Sequence, residues 1–150
     1  LGSNPFNPFN VIAGFPNDAF VAYGRETITL DRLSEGFSVL GNGCLNSPSL
    51  PKVRRAKVLF RELAGEGSAH DAMQSILGDR QSDSLDNGLE SNWTDALDDI
   101  CVRTSLYGTR SSVLVTFAVR GIRSYLYADG PPDITPFADL TCEIRPAHNQ

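Results

Sequence analysis

The sequence has little positive charge and no long hydrophobic run, and each shortage excludes a class of protein. The 150 residues contain 13 lysines and arginines against 18 aspartates and glutamates, which gives a net charge of −5. A general nucleic-acid-binding protein needs a basic surface, so we expect no nucleic-acid partner. No apolar run approaches the roughly 20 residues that cross a bilayer, and no signal peptide is visible. We therefore expect no membrane span and a cytoplasmic location.

Cysteine is also scarce, since Cys44, Cys101 and Cys142 are the only three. They are too few and too scattered for a disulfide framework or for zinc-binding spacing. We therefore expect reduced thiols, no metal site and no cofactor. The length suits one domain with a real core, and a hydrophobic fraction of 41% is far from that of a disordered chain. Residues 1–150 are accordingly interpreted as a single domain.

Short alternating runs predict two groups of antiparallel strands. The first group covers residues 11–13, 19–23, 27–30 and 37–40, separated by turns that contain glycine, asparagine or proline. The second covers residues 100–104, 113–117 and 122–127, with a last strand near residues 140–144. In the strand of residues 113–117, Val113, Val115 and Phe117 share one face and Leu114 lies on the other, and we expect at least one of the two faces to be buried. Residues 11–13 are likewise expected to be buried.

Two helices are predicted between these groups of strands. Residues 51–64 place Val53, Ala56 and Phe60 on one face, and Ser68 can cap a second helix over residues 69–77. His70, in the first turn of the second helix, is interpreted as a surface residue. Residues 78–92 are polar and rich in aspartate and serine, which predicts a loop.

Three features could carry a function, and each also has a purely structural interpretation. Asn42, between two glycines at a predicted strand end, could donate a hydrogen bond to developing negative charge, or it could belong to a plain turn. Arg110 follows a glycine at the start of a strand, where its planar fork could hold an anion or make an ordinary ion pair. The first helix carries a basic patch that could attract an anionic ligand or be a solvated face; its members are Lys52, Arg54, Arg55, Lys57 and Arg61.

A tandem Asn-Pro-Phe repeat at residues 4–6 and 7–9 offers a fourth, separate hypothesis. Proline makes this stretch extended, and such triplets are ligands for small adaptor domains. Alternatively, Phe9 packs into the strand that follows.

Several pieces in order resemble the NRDE family, which is named for an Asn-Arg-Asp-Glu motif and includes transport and Golgi organisation protein 2. They are residues 9–13 (FNVIA), residues 40–42 (LGN) with 51–53 (PKV), the basic helix, and residues 107–112 (YGTRSS). Residues 128–132 (ADGPP) resemble prokaryotic members in particular.

The resemblance implies an α+β fold similar to N-terminal-nucleophile hydrolases, with stacked antiparallel sheets flanked by helices in an αββα arrangement. In such enzymes a cysteine at the mature N-terminus attacks an amide, with its own α-amino group as base. Asn42 would then be an oxyanion-hole donor, and Arg110 would orient the nucleophile or substrate. We expect the ligand to be contacted by Lys52, Arg55, Tyr107 and Thr109.

The starting Met-Cys and the Asn-Arg-Asp-Glu motif of the family are absent from the sequence. We therefore expect an incomplete αββα domain, the C-terminal portion of an NRDE-type domain, which is inactive without its nucleophile. One hypothesis is a hydrolase of linear amides that is active only with the absent segment. The alternative is a non-enzymatic carrier or trafficking factor for an anionic ligand such as haem or acyl-CoA.

Overall fold

The fold is mixed α+β, as predicted, with two small antiparallel sheets. The computed structural model describes residues 7–15, 18–63, 65, 67–81, 97–119 and 121–144. Within these residues the elements, in chain order, are β1 (Phe9–Phe15), β2 (Asp18–Gly24), β3 (Ile28–Arg32), α1 (Pro51–Leu63), α2 (Ala69–Leu77), β4 (Ser112–Ala118), β5 (Gly121–Ala128), β6 (Ala138–Asp139) and α3 (Thr141–Ile144). None of the described helices is long and apolar enough to cross a membrane.

The first sheet is the predicted meander, with strand order β1-β2-β3. Its central strand supplies the buried side chains, Val21 and Tyr23. The expectation that β1 is buried is wrong, because Val11 is 46% and Ile12 56% exposed. An edge strand has only one neighbour, and here neither face of β1 is fully covered.

The predicted strand at residues 37–40 is absent, which corrects the sequence analysis. The backbone of Val39 pairs with Asn46 instead of with a strand: its N–H donates to the Asn46 side-chain oxygen, and its carbonyl accepts from the Asn46 N–H. Asn46 itself has a positive φ of 58°, which asparagine tolerates better than most residues. Phe37 does pack, with its ring stacked on Phe60 at a centroid distance of 3.8 Å. The segment is therefore a closed loop.

Both long helices form where they are predicted, apart from residue 64, which lies outside the described residues. Val53 and Ala56 are buried on α1, as is Ile76 on α2. The predicted cap is confirmed, since the Ser68 hydroxyl accepts a hydrogen bond from the Asp71 N–H. Of the predicted loop at 78–92, residues 82–92 lie outside the described part.

The second sheet has the strand order β4-β5-β6, and α2 packs against β4. One face of β4 is buried, as predicted: it carries Leu114, whereas Val113, Val115 and Phe117 on the other face are exposed. The face that carries Leu114 also carries Thr116, which is hydrogen-bonded to Ser124 and through it to α2. Because α2 covers this face, the opposite one is left to solvent.

The interpretation of His70 as a surface residue is wrong, because its side chain is hydrogen-bonded to Ser124 of β5. Its Nε2 lies 3.0 Å from the Ser124 hydroxyl, and that hydroxyl lies 2.6 Å from Thr116. His70 is half-buried and ties α2 to the sheet. Spacing along the helix alone could not show that a serine of β5 lies opposite this position.

Two further strand predictions are wrong. Residues 100–104 form only an isolated bridge, in which Arg103 pairs with Gly108, instead of a strand. Near the end of the chain, the strand lies at Ala138–Asp139, and residues 141–144 are helical. Thr141 begins this helix because its N–H donates to the Asp139 carboxylate.

Candidate functional site

Two pockets hold four of the six residues that the sequence pointed to. The first, called here the Arg25 pocket, has a volume of about 550 Å³ and is lined by Pro8, Phe9, Asn10, Arg25, Leu40, Gly41 and Asn42. Its size falls within the range of small-molecule sites. It lies where the start of β1, the turn after β2 and the loop at residues 40–42 meet.

The guanidinium of Arg25 is hydrogen-bonded to residues at the start of β1. Nη1 donates to the carbonyls of Phe9 (3.0 Å) and Gly24 (2.9 Å). Nη2 donates to the Asn10 side-chain oxygen at 2.8 Å and to the Asn42 carbonyl at 3.4 Å. The positive charge is therefore fixed in the pocket wall, because four acceptors define its position.

Asn10 links Arg25 to the loop that carries Asn42. Its Nδ2 donates to the Gly41 carbonyl at 2.7 Å and to the Gly43 carbonyl at 3.1 Å. Both ends of one carboxamide are thus in use, so the side chain has a single orientation. Asn42 lies between the two carbonyls that Asn10 holds.

The Asn42 carboxamide itself is exposed and lines the pocket. Within the described part of the chain it makes no hydrogen bond, whereas its backbone carbonyl accepts from Arg25. The side-chain amide can therefore donate to a ligand. This arrangement is compatible with the predicted role of Asn42, which remains a prediction.

The second pocket, called here the Arg110 pocket, has a volume of about 320 Å³. It brings together three residues singled out in the sequence, Tyr107, Thr109 and Arg110. The other lining residues are Arg103, Thr104, Leu106, Gly108 and Pro131. None of the described residues lines both pockets, so the structure does not bring Arg110 and Asn42 into one pocket.

A tight turn shapes the wall of the Arg110 pocket. The Thr104 hydroxyl donates to the Tyr107 carbonyl at 2.7 Å and accepts from the Tyr107 N–H at 2.9 Å. A side chain at Gly108 would place its Cβ only 2.8 Å from the Val102 carbonyl oxygen, so the close approach of the two chain segments needs glycine. Thr109 closes the turn by bonding both backbone polar groups of Val102.

A largely buried carboxylate, Asp133, lies behind this pocket. It accepts from Arg103 at 2.6 Å and from the Cys101 thiol at 3.4 Å, and Arg80 lies 3.6 Å away. Although burial raises the pKa of Asp133, the hydrogen bonds from Arg103 and Cys101 outweigh it and hold the pKa below its usual value. Burial is the largest cause that raises the pKa of the Cys101 thiol, and its hydrogen bond with the Asp133 side chain raises it further. Asp133 is therefore ionised near neutral pH and anchors Arg103.

The two predicted ligand contacts on α1 lie elsewhere. Arg55 makes a two-point ion pair with Asp79, at 3.0 and 2.8 Å, and this hydrogen bonding raises the pKa of Arg55. Its fork is therefore committed to joining α1 to the end of α2. Lys52 is half-buried in the first turn of α1, and neither residue lines the Arg25 or the Arg110 pocket.

Sequence reasoning missed Asn10, Arg25 and Arg103 as pocket residues. Asn10 lies in a segment that carries the family resemblance, but a single polar side chain next to a predicted strand does not distinguish a site residue from a surface residue. Arg25 follows Gly24 and has the pattern of an ordinary turn residue. Only the pairing of Phe9 with Gly24 across the first sheet brings Arg25 beside Asn10.

The chemistry of the Arg25 pocket is that of binding and hydrogen-bond donation. Among the described residues, its lining has an arginine and two asparagines but no cysteine, serine, threonine, histidine, lysine or carboxylate. None of these described lining residues offers a nucleophile for acyl transfer. The cysteines are free thiols, with Cys44 and Cys142 exposed and Cys101 buried. No group of side chains in the described ranges could hold a metal ion.

Comparison with known proteins gives a match at the level of the family. No curated protein matches the chain, and no solved structure does so either. The family model of Transport and Golgi organisation 2 matches residues 2–126, which include both pockets apart from Pro131. The chain therefore belongs to the Transport and Golgi organisation 2 family.

Proposed function

We propose that the Arg25 pocket binds the acyl end of a small molecule, an amide or a carboxylate. The observation that carries the proposal is the fixed guanidinium of Arg25 beside the Asn42 carboxamide in a pocket of about 550 Å³. Asn42 would donate to the ligand's carbonyl oxygen, and the charge of Arg25 would stabilise negative charge on that oxygen.

For catalysis, the proposed reaction is hydrolysis of a linear amide by the N-terminal-nucleophile mechanism. The chain would be the C-terminal portion of an NRDE-type αββα domain, and a cysteine on a preceding segment would attack the carbonyl carbon. Asn42 would stabilise the oxyanion, an interaction that strengthens as charge develops. Arg110, in its separate pocket, would orient another part of the substrate.

The second candidate is a carrier that binds an anionic ligand such as haem or acyl-CoA without reacting with it. It is favoured by the described lining residues of the Arg25 pocket, none of which is a nucleophile or a group able to act as a base near pH 7. The carrier and the hydrolase share the same binding step, so that step is tested first.

The experiment is calorimetric titration of the chain with N-acyl amides, fatty carboxylates, acyl-CoA and haem. Asn42→Ala should weaken binding of the acyl ligand about five- to tenfold, because one hydrogen bond contributes about 1 kcal/mol. Gln81→Ala is the matched control, since Gln81 is also an exposed carboxamide but lines neither pocket. Equal affinities of the wild type and Asn42→Ala would remove Asn42 from the site.

The hydrolase and carrier proposals separate in a second measurement. With the cysteine-bearing segment joined to the chain, the hydrolase predicts turnover of a linear amide and a fall in kcat of about 10²- to 10³-fold in Asn42→Ala. The carrier predicts saturable binding with no turnover in either protein. Absence of saturable binding by all four ligand types would contradict both.

A further inference from the structure

We propose that the Arg110 pocket binds a phosphate group carried by an organic ligand. Two arginines, Arg103 and Arg110, line this pocket of about 320 Å³, and none of its described lining residues carries a carboxylate. On a chain with a net charge of −5, such a concentration of positive charge is local and attracts an anion. The inference concerns a separate pocket and does not rest on the function proposed above.

The two arginines differ in what holds them. Arg103 has a side chain that is 26% exposed, and Nη1 is fixed on Asp133 at 2.6 Å. Arg110 is exposed, and within the described residues its guanidinium makes no hydrogen bond and no ion pair. Arg103 thus supplies positioned N–H donors, although its charge is shared with Asp133, and Arg110 supplies a fork of donors that a ligand can meet.

The number of cations favours phosphate over carboxylate. A carboxylate presents two oxygens and one negative charge, which a single guanidinium fork satisfies. A phosphate monoester presents three oxygens and a charge of about −1.5 to −2 near pH 7, so it can engage both arginines at once. The pocket has two arginines, and its lining also includes the polar residues Thr104, Tyr107 and Thr109.

Exposed apolar side chains at the same pocket indicate what the phosphate is attached to. Leu106 is 80% exposed and Tyr107 61% exposed, and both line the pocket beside the arginines. An organic group joined to the phosphate could cover these side chains and gain hydrophobic contact. An aryl phosphate should therefore bind more tightly than inorganic phosphate.

Calorimetric titration of the chain with phenyl phosphate, inorganic phosphate and benzoate tests the proposal. We expect phenyl phosphate to bind more tightly than either of the others. Arg110→Ala should weaken its binding at least tenfold, and Arg110→Lys should cause an intermediate loss because it keeps the charge but not the fork. Arg32→Ala removes the same charge from an exposed position at the end of β3 and should leave the affinity unchanged.

Three results would overturn the inference. Benzoate binding as tightly as phenyl phosphate would show a carboxylate site. Unchanged binding in Arg110→Ala would place the anion elsewhere, and an equal loss in Arg32→Ala would show a general charge effect. Because Arg110 is exposed, thermal unfolding of its two variants should match that of the wild type, so a loss of binding reports on the pocket.

Discussion

Replacing Asp133 by asparagine should destabilise the fold more than any exposed charge change. The Asp133 side chain is 14% exposed, and its carboxylate joins Arg103 at 2.6 Å to the Cys101 thiol at 3.4 Å. Asparagine keeps the shape and one acceptor but removes the charge that faces Arg103. Hydrogen bonds to charged groups contribute about 1.5–3 kcal/mol, and an arginine that is one-quarter exposed recovers part of this from water. We therefore expect a loss of about 2 kcal/mol.

The effect of Asp133→Asn should depend on pH in a defined direction. The pKa of Asp133 is lowered in the folded state, so its contribution is present above the unfolded-state pKa of about 3.9. The contribution is lost as the pH falls through the folded-state pKa, because the carboxyl is then protonated in both states. The difference in stability between wild type and variant should be full at pH 7 and should shrink below about pH 4.

Urea unfolding at pH 7 and at several lower pH values measures both effects. Asp18→Asn is the matched control, since its ion pair with Arg32 is nearly as close, at 2.9 Å, but the two side chains are 50% and 69% exposed. An exposed pair of this kind contributes about 0–1 kcal/mol. The reasoning fails if Asp133→Asn costs no more than Asp18→Asn, or if its cost does not change with pH.

The remaining predictions concern backbone geometry, capping and the core. Gly108→Ala should destabilise the fold by about 1–3 kcal/mol, because the added Cβ would lie 2.8 Å from a carbonyl oxygen. Gly43→Ala is the control, since the Cβ added there would meet its nearest atom at 3.4 Å; this variant should unfold at nearly the wild-type urea concentration. Ser68→Ala should cost about 1 kcal/mol in the same assay through loss of the cap of α2; no change would show that the cap is dispensable. Leu114→Ala should cost about 2–5 kcal/mol and Val115→Ala clearly less, and the reverse order would mean that the face carrying Val115 is the buried one.

Local sequence patterns were enough to predict those helices and strands whose signals lie within a single segment of the chain. The α1 and α2 helices could be predicted because apolar spacing, a preceding proline or serine and a following glycine agree. The first three strands could be predicted because each alternates and is bounded by turn residues. The buried face of β4 could not, since both faces carry apolar residues and the choice depends on where α2 packs.

The candidate site could be predicted only in part, for a similar reason. Asn42 and Arg110 stand out locally, because each follows a glycine near a predicted strand. Asn10 and Arg25 become site residues through pairing between β1 and β2, which brings positions 15 residues apart into hydrogen-bond contact. The fork of Arg55 looked free for a ligand until the structure placed Asp79 against it.

The two strand predictions in mid-chain that failed lie beside the two pockets. Residues 37–40 lead into the Arg25 pocket through Leu40, and residues 100–104 supply Arg103 and Thr104 to the Arg110 pocket. In each case a polar side chain outside the failed strand accepts a hydrogen bond from a backbone N–H within it, Asn46 from Val39 in one loop and Thr109 from Val102 in the other. A paired strand would turn neighbouring side chains to opposite faces, whereas Arg103 and Thr104, which are neighbours in sequence, both line the Arg110 pocket. The hydrogen bonds that take the place of strand pairing therefore lie in the loops that supply lining residues to both pockets.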